Sequence, residues 1–109
     1  EPGEPMTVTY TAAAESAEHF ALLQAASNQL EEVLGSSTGL VSARWDRKAD
    51  ARGRVVYTLN LKDPFGEVTG EFAPTELTSN HQMDFRLYRL WGDLLRFQTA
   101  KYLQEITGN

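Results

Sequence analysis

The sequence contains no cysteine. That excludes a disulfide framework, a thiol nucleophile and a thiolate metal site, and leaves the compartment unmarked, with the cytoplasm as the default. No run of 18 apolar residues occurs, so no membrane-spanning helix is expected. Only two histidines are present, His19 and His81. Neither stands in a His-x-x-x-His or Glu-x-x-His spacing, and no metal or other cofactor is expected. There is no glycine-rich phosphate loop, and Ser36, Ser37, Ser42 and Ser79 have no nucleophile-elbow context. The carboxylate pairs Glu15/Glu18, Glu31/Glu32 and Glu67/Glu71 fall at helix ends or on an open strand face. There they read as solvated charges rather than as an acid/base pair. These absences together point away from an enzyme. Basic charge is also scarce, with 10 basic against 15 acidic side chains and a net charge of −5. Such a balance argues against broad electrostatic capture of nucleic acid or anionic lipid.

What is present has the composition of one globular domain. Of the 109 residues, 41% are hydrophobic and 23% charged, enough apolar surface for a single core. Residues 1–10 read as a linker or appended segment, lacking signal-peptide character, with "VTY" at 8–10 as a candidate short edge strand. Residues 11–107 read as a single α+β domain. The periodicity predicts one long helix over 11–35, with Phe20, Leu23, Ala26, Leu30, Val33 and Leu34 on one face, Thr11 as its cap and Gly35 as its closing residue.

Three strands follow, at 40–47, 54–62 and 67–72, each alternating with period two. Val41, Ala43 and Trp45, then Val55, Tyr57, Leu59 and Leu61, then Val68, Gly70 and Phe72 form the inward set. Their tight connections require an antiparallel meander with one covered face. Pro74 opens a single turn, and Ser79 with Gln82 forms a capping signal for a last helix over 80–106. The expected fold is therefore α-β-β-β-α, with two long helices packed on one face of a three-stranded antiparallel meander. Its expected core comprises Leu23, Leu30, Leu34, Trp45, Tyr57, Leu59, Phe72, Leu87, Trp91 and Leu95.

This element order is similar to that of double-stranded-RNA-binding domains and of small bacterial nucleoid-associated αβββα proteins that work as dimers. The resemblance covers order alone, from about residue 12 to 106. The RNA-binding family's lysine cluster at the start of its second helix is replaced here by Ser79, Asn80, His81 and Gln82, which speaks against that mode of RNA binding.

The stretch 83–103 interleaves Phe85, Tyr88, Trp91, Phe97 and Tyr102 with Arg86, Arg89 and Arg96. On a helical wheel, Leu87, Tyr88, Trp91, Leu94, Leu95, Tyr102 and Ile106 share one face and the arginines another. The aromatic face is expected to lie on the sheet. Leu90 and Phe97, seven residues apart with Lys101 beyond, widen the apolar arc to about 160°, more than one small sheet needs. The leading expectation is thus an interaction or assembly domain that binds a protein partner or itself, as a homodimer through Leu90, Phe97 and Lys101. One alternative is nucleic-acid association, with Arg47, Lys48, Arg52 and Arg54 of the 46–54 hairpin contacting phosphates. A second is a small ligand held in a pocket between sheet and helices.

Overall fold

The computed structural model of the protein describes residues 7–35, 39 and 41–107; the side chains of Gln98 and of residues 101–107 lie outside the description. Among the described residues, four strands and four helices follow in chain order: β1 (Thr7–Tyr10), α1 (Ala12–Glu15), α2 (Phe20–Leu34), β2 (Ser42–Ala49), β3 (Val55–Asp63), β4 (Gly66–Phe72), α3 (Pro74–Leu77) and α4 (Asn80–Thr107). The class is α+β as the patterning implies, but the sheet is four-stranded and mixed, in the order β1-β2-β3-β4. The meander β2-β3-β4 is antiparallel, with Trp45 opposite Leu59 and Leu59 opposite Gly70. The segment at the start of the chain joins it as a parallel edge strand, Tyr10 aligning with Trp45. Thirty-one residues containing two helices separate β1 from β2. That span is long enough for the crossover a parallel pair needs, which the short links of the meander are not.

The expected helix over 11–35 is broken. Thr11 does cap a helix, its hydroxyl accepting the Ala14 N–H at 3.2 Å while donating to Asp46 Oδ1 at 2.8 Å, but that helix is the single turn α1. Ser16 then donates its hydroxyl to the Ala12 carbonyl at 2.9 Å, offering the backbone a local alternative to helical continuation. The chain turns through Ala17–His19 and restarts at Phe20. The break lets Phe20 meet Tyr10 edge-on, with ring centroids 4.9 Å apart. It also brings His19 Nδ1 within 2.9 Å of the Tyr57 hydroxyl. High helix propensity across "AAAESAEH" yields to these tertiary contacts. Gly35 closes α2 with a positive φ of 59°, and its N–H donates to the Glu31 carbonyl.

The helices cover one face of the sheet, α4 running along β4 and β3 and α2 packing against α4. Trp45, Tyr57, Leu59, Leu61 and Phe72 from the sheet meet Leu23, Leu30, Leu87 and Leu94 from the helices, all fully buried. A buried polar node ties three elements together through Ser27. Its hydroxyl donates to the Leu23 carbonyl and accepts from Trp45 Nε1 at 2.8 Å, and the Tyr10 hydroxyl lies 3.2 Å away. Every buried side-chain polar atom among the described residues has a partner. The opposite sheet face is polar, with Asn60 Nδ2 donating to Thr69 Oγ1 at 3.0 Å across β3 and β4. Among the described residues, no helix is long and apolar enough to cross a membrane.

Candidate interaction surface

The first turn of α4 is set by Ser79, whose hydroxyl accepts the Gln82 N–H at 3.3 Å. From there the side chains that point into the core are Met83, Leu87, Leu90 and Leu94, all buried. This inner arc is rotated from the one expected. Leu90, read as part of an interface margin, is only 7% exposed. It sits over Gly70 of β4, so close that a Cβ built there would lie 2.9 Å from Leu90 Cδ1. Phe97 occupies the corresponding place over Gly66, its ring 2.7 Å from the Cβ position, although it keeps 44% of its surface exposed. The seven-residue helical step from Leu90 to Phe97 spans about 10 Å, and the four-residue strand step from Gly70 back to Gly66 about 13 Å. The two elements therefore run antiparallel with matched spacing. The candidate interface strip thus rests on the chain's own β4, and Leu90 belongs to the core. The Lys101 side chain lies outside the described residues.

Rotation of α4 toward β4 turns a different apolar stripe outward. Phe85 is 65% exposed, Tyr88 59% and Leu95 37%, correcting the expected placement of Tyr88 and Leu95 in the core. With Gly92 between them they occupy an arc of about 80° centred nearly opposite the buried one. Trp91, at the boundary, is half-buried and packs against the core. The N-terminal part of the stripe opens onto a groove of about 530 Å³ lined by Glu76, His81, Gln82, Asp84, Phe85, Arg86 and Tyr88. Tyr102 and Ile106, expected on the core face, have side chains outside the described residues.

The flanks of the stripe are polar and held in place. Asp84 accepts from Gln29 Nε2 of α2 at 2.9 Å, and the same amide nitrogen donates to the Asn80 carbonyl. Arg86 clamps α4 to the rest of the fold. Its guanidinium donates to Glu76 Oε2 and to the Glu71 carbonyl, both at 2.7 Å, and lies 4.4 Å from the centre of the Phe72 ring. On the helical wheel Arg86 shares a face with Arg89 and Arg96, yet it reaches back to the fold. On that face, Arg96 pairs with Asp93 at 3.6 Å, and Arg89 is exposed.

The four basic residues of the 46–54 hairpin do not converge. Arg47 lines a cleft with His19 and Tyr57. Lys48 projects to the other face, 4.0 Å from Asp46. Arg54 pairs with Asp50 at 3.1 Å, and Arg52 is exposed on the turn. Asp50 organises that turn by accepting the N–H groups of Arg52 and Arg54, each at 2.9 Å, while Gly53 supplies the positive φ of 79°. The Arg54 backbone N–H is the main cause holding the Asp50 carboxyl below its ordinary pKa. Two of the four cations are therefore matched within the hairpin.

As for the second alternative, Trp45, Tyr57, Phe72 and Leu87 pack together between sheet and helices, and the cleft at His19, Arg47 and Tyr57 opens beside them, between residues 13–19 and the sheet. Among the described residues no group of three His, Asp or Glu side chains is placed to hold a metal ion. No family model, curated protein or solved structure matches the chain.

Proposed function

We propose that the chain is a non-enzymatic interaction or assembly domain that binds a protein through the outer face of α4. One observation carries the reading: Phe85, Tyr88 and Leu95 stand exposed on one stripe of a helix whose opposite face already fills the core. Scattered apolar residues on a surface need no explanation, but aromatic residues aligned along one helix face resemble the anchors of protein interfaces. The groove beside Phe85 and Tyr88 adds concave relief in which a partner's side chain would seat. Arg86, Glu76 and Gln29 hold α4 from its flanks, so the stripe is presented on a rigid element and little order is lost on binding.

Oxidative footprinting of Phe85 and Tyr88 tests this reading. Both rings are expected to be strongly protected in the crude cellular extract and reactive in the dilute purified chain. Equal reactivity in both settings overturns it.

A further inference from the structure

We infer that the occupant of the outer α4 face is a second copy of the same chain, bound in parallel about a two-fold axis running along the helix. The inference rests on the interaction reading above and adds the partner and its orientation.

The stripe follows a seven-residue repeat. Phe85, Gly92 and Thr99 fall seven apart, as do Tyr88 and Leu95, and the two series are offset by three and four residues. That is the a/d spacing of a helix seam, and it sits on the exposed side of α4 rather than on the side that packs against the sheet. In sequence the spacing continues through Tyr102 and Ile106. The helix has 28 residues, about 42 Å of length, enough for a seam of three heptads. The domain body lies on the far side of α4, so two helices can approach through their outer faces. Gly92 is central, and a Cβ there would meet nothing within 4 Å, which leaves room for close approach of the second backbone.

Charge selects both the partner and the direction. The residues flanking the seam are Asp84 and Trp91 on one side and Arg89 and Arg96 on the other. In a parallel pair, each flanking residue of one side meets the residue five positions later on the other side of the partner helix. Asp84 then faces the second copy's Arg89, and Trp91 faces its Arg96, an ion pair and a cation–π contact, each made twice by symmetry. An antiparallel pair would instead bring the arginine flanks of both copies together. Within one helix Asp84 and Arg89 project about 140° apart and cannot pair, so their complementarity is realised only between chains.

Sedimentation equilibrium at tens of micromolar is expected to give a species of twice the 12.2 kDa chain mass. A monomer under these conditions overturns the inference; the interaction reading falls with it only if the footprint of Phe85 and Tyr88 also shows no protection in the extract. Asp84→Arg and Arg89→Asp are each expected to weaken association roughly tenfold, since two attractive pairs become repulsive. The double variant, or an equimolar mixture of the two single variants, is expected to restore it. A purely intrachain role for Asp84, through Gln29, predicts no such restoration, and that outcome overturns the parallel arrangement. Because the chain has no cysteine, Thr99→Cys gives one thiol per protomer. In the parallel dimer it is expected to oxidise to a disulfide-linked pair. A stable dimer that fails to cross-link there refutes the orientation.

Discussion

The two apolar faces of α4 differ in composition and are opposite in fate. Met83, Leu87, Leu90 and Leu94 are buried against the sheet, whereas Phe85, Tyr88 and Leu95 are exposed, though they carry more aromatic surface. The aromatic stripe, which the sequence suggests for the core, is the one that faces outward. The helix turned the other way because β4 offers Gly66 and Gly70 on its inward face, and Phe97 and Leu90 fill the places their missing side chains leave. The buried side chains match the relief of the sheet, as close-packed interiors require. Arg86 secures this rotation through its ties to Glu76, to the Glu71 carbonyl and over Phe72.

Substitutions on the two faces should separate these roles. Leu87→Ala on the inner face is expected to cost about 2–5 kcal/mol in urea unfolding, because it opens a cavity among fully buried neighbours. Ser27→Ala should cost about 1–3 kcal/mol by the same measurement, leaving the Trp45 indole N–H buried without its acceptor. Gly70→Ala should cost about 1–3 kcal/mol, as its methyl meets Leu90 at 2.9 Å; pairing it with Leu90→Ala should recover part of the loss, which tests the socket directly. On the outer face, Tyr88→Ser should move the unfolding free energy of the dilute monomer by no more than about 0.5 kcal/mol while abolishing self-association. A large loss of monomer stability there would erase the distinction between the faces.

The smallest effect is expected at the hairpin, far from both faces. The Asp50 carboxyl is held below its ordinary pKa, chiefly by the Arg54 N–H. A depressed folded-state pKa contributes stability above the unfolded value of about 3.9, and the contribution fades as pH falls through the lower folded value. Asp50→Asn should therefore melt slightly below the parent at neutral pH, with the gap closing below about pH 4.

Much of the architecture could be read from residue order. The alternation of Tyr57, Leu59 and Leu61 and of Ala43 and Trp45 marks strands with one buried face, and the structure buries those residues. The α3 turn at Pro74 and the Ser79 cap were equally legible, because both depend on neighbours within four residues. β1 was visible only as a candidate edge, since its partner strand begins at Ser42, beyond the helical crossover. The break at Ser16–His19 was not visible, because "AAAESAEH" favours helix locally and the interruption is secured by Tyr10 and Tyr57 from distant strands. The outward direction of the Phe85, Tyr88 and Leu95 stripe is hidden from the sequence for the same reason. A helical wheel ranks faces by hydrophobicity and has no access to the relief of the surface they meet.

By itself, then, the sequence determined the α+β class, the antiparallel meander with its covered and open faces, and the long final helix with two apolar sides. These follow from periodicities that any short window expresses. Tertiary structure decided the parallel edge strand, the broken first helix and the rotation of α4 that exposes Phe85, Tyr88 and Leu95. Each of those depends on a group remote in sequence, and in the case of α4 on two glycines whose contribution is the space above them.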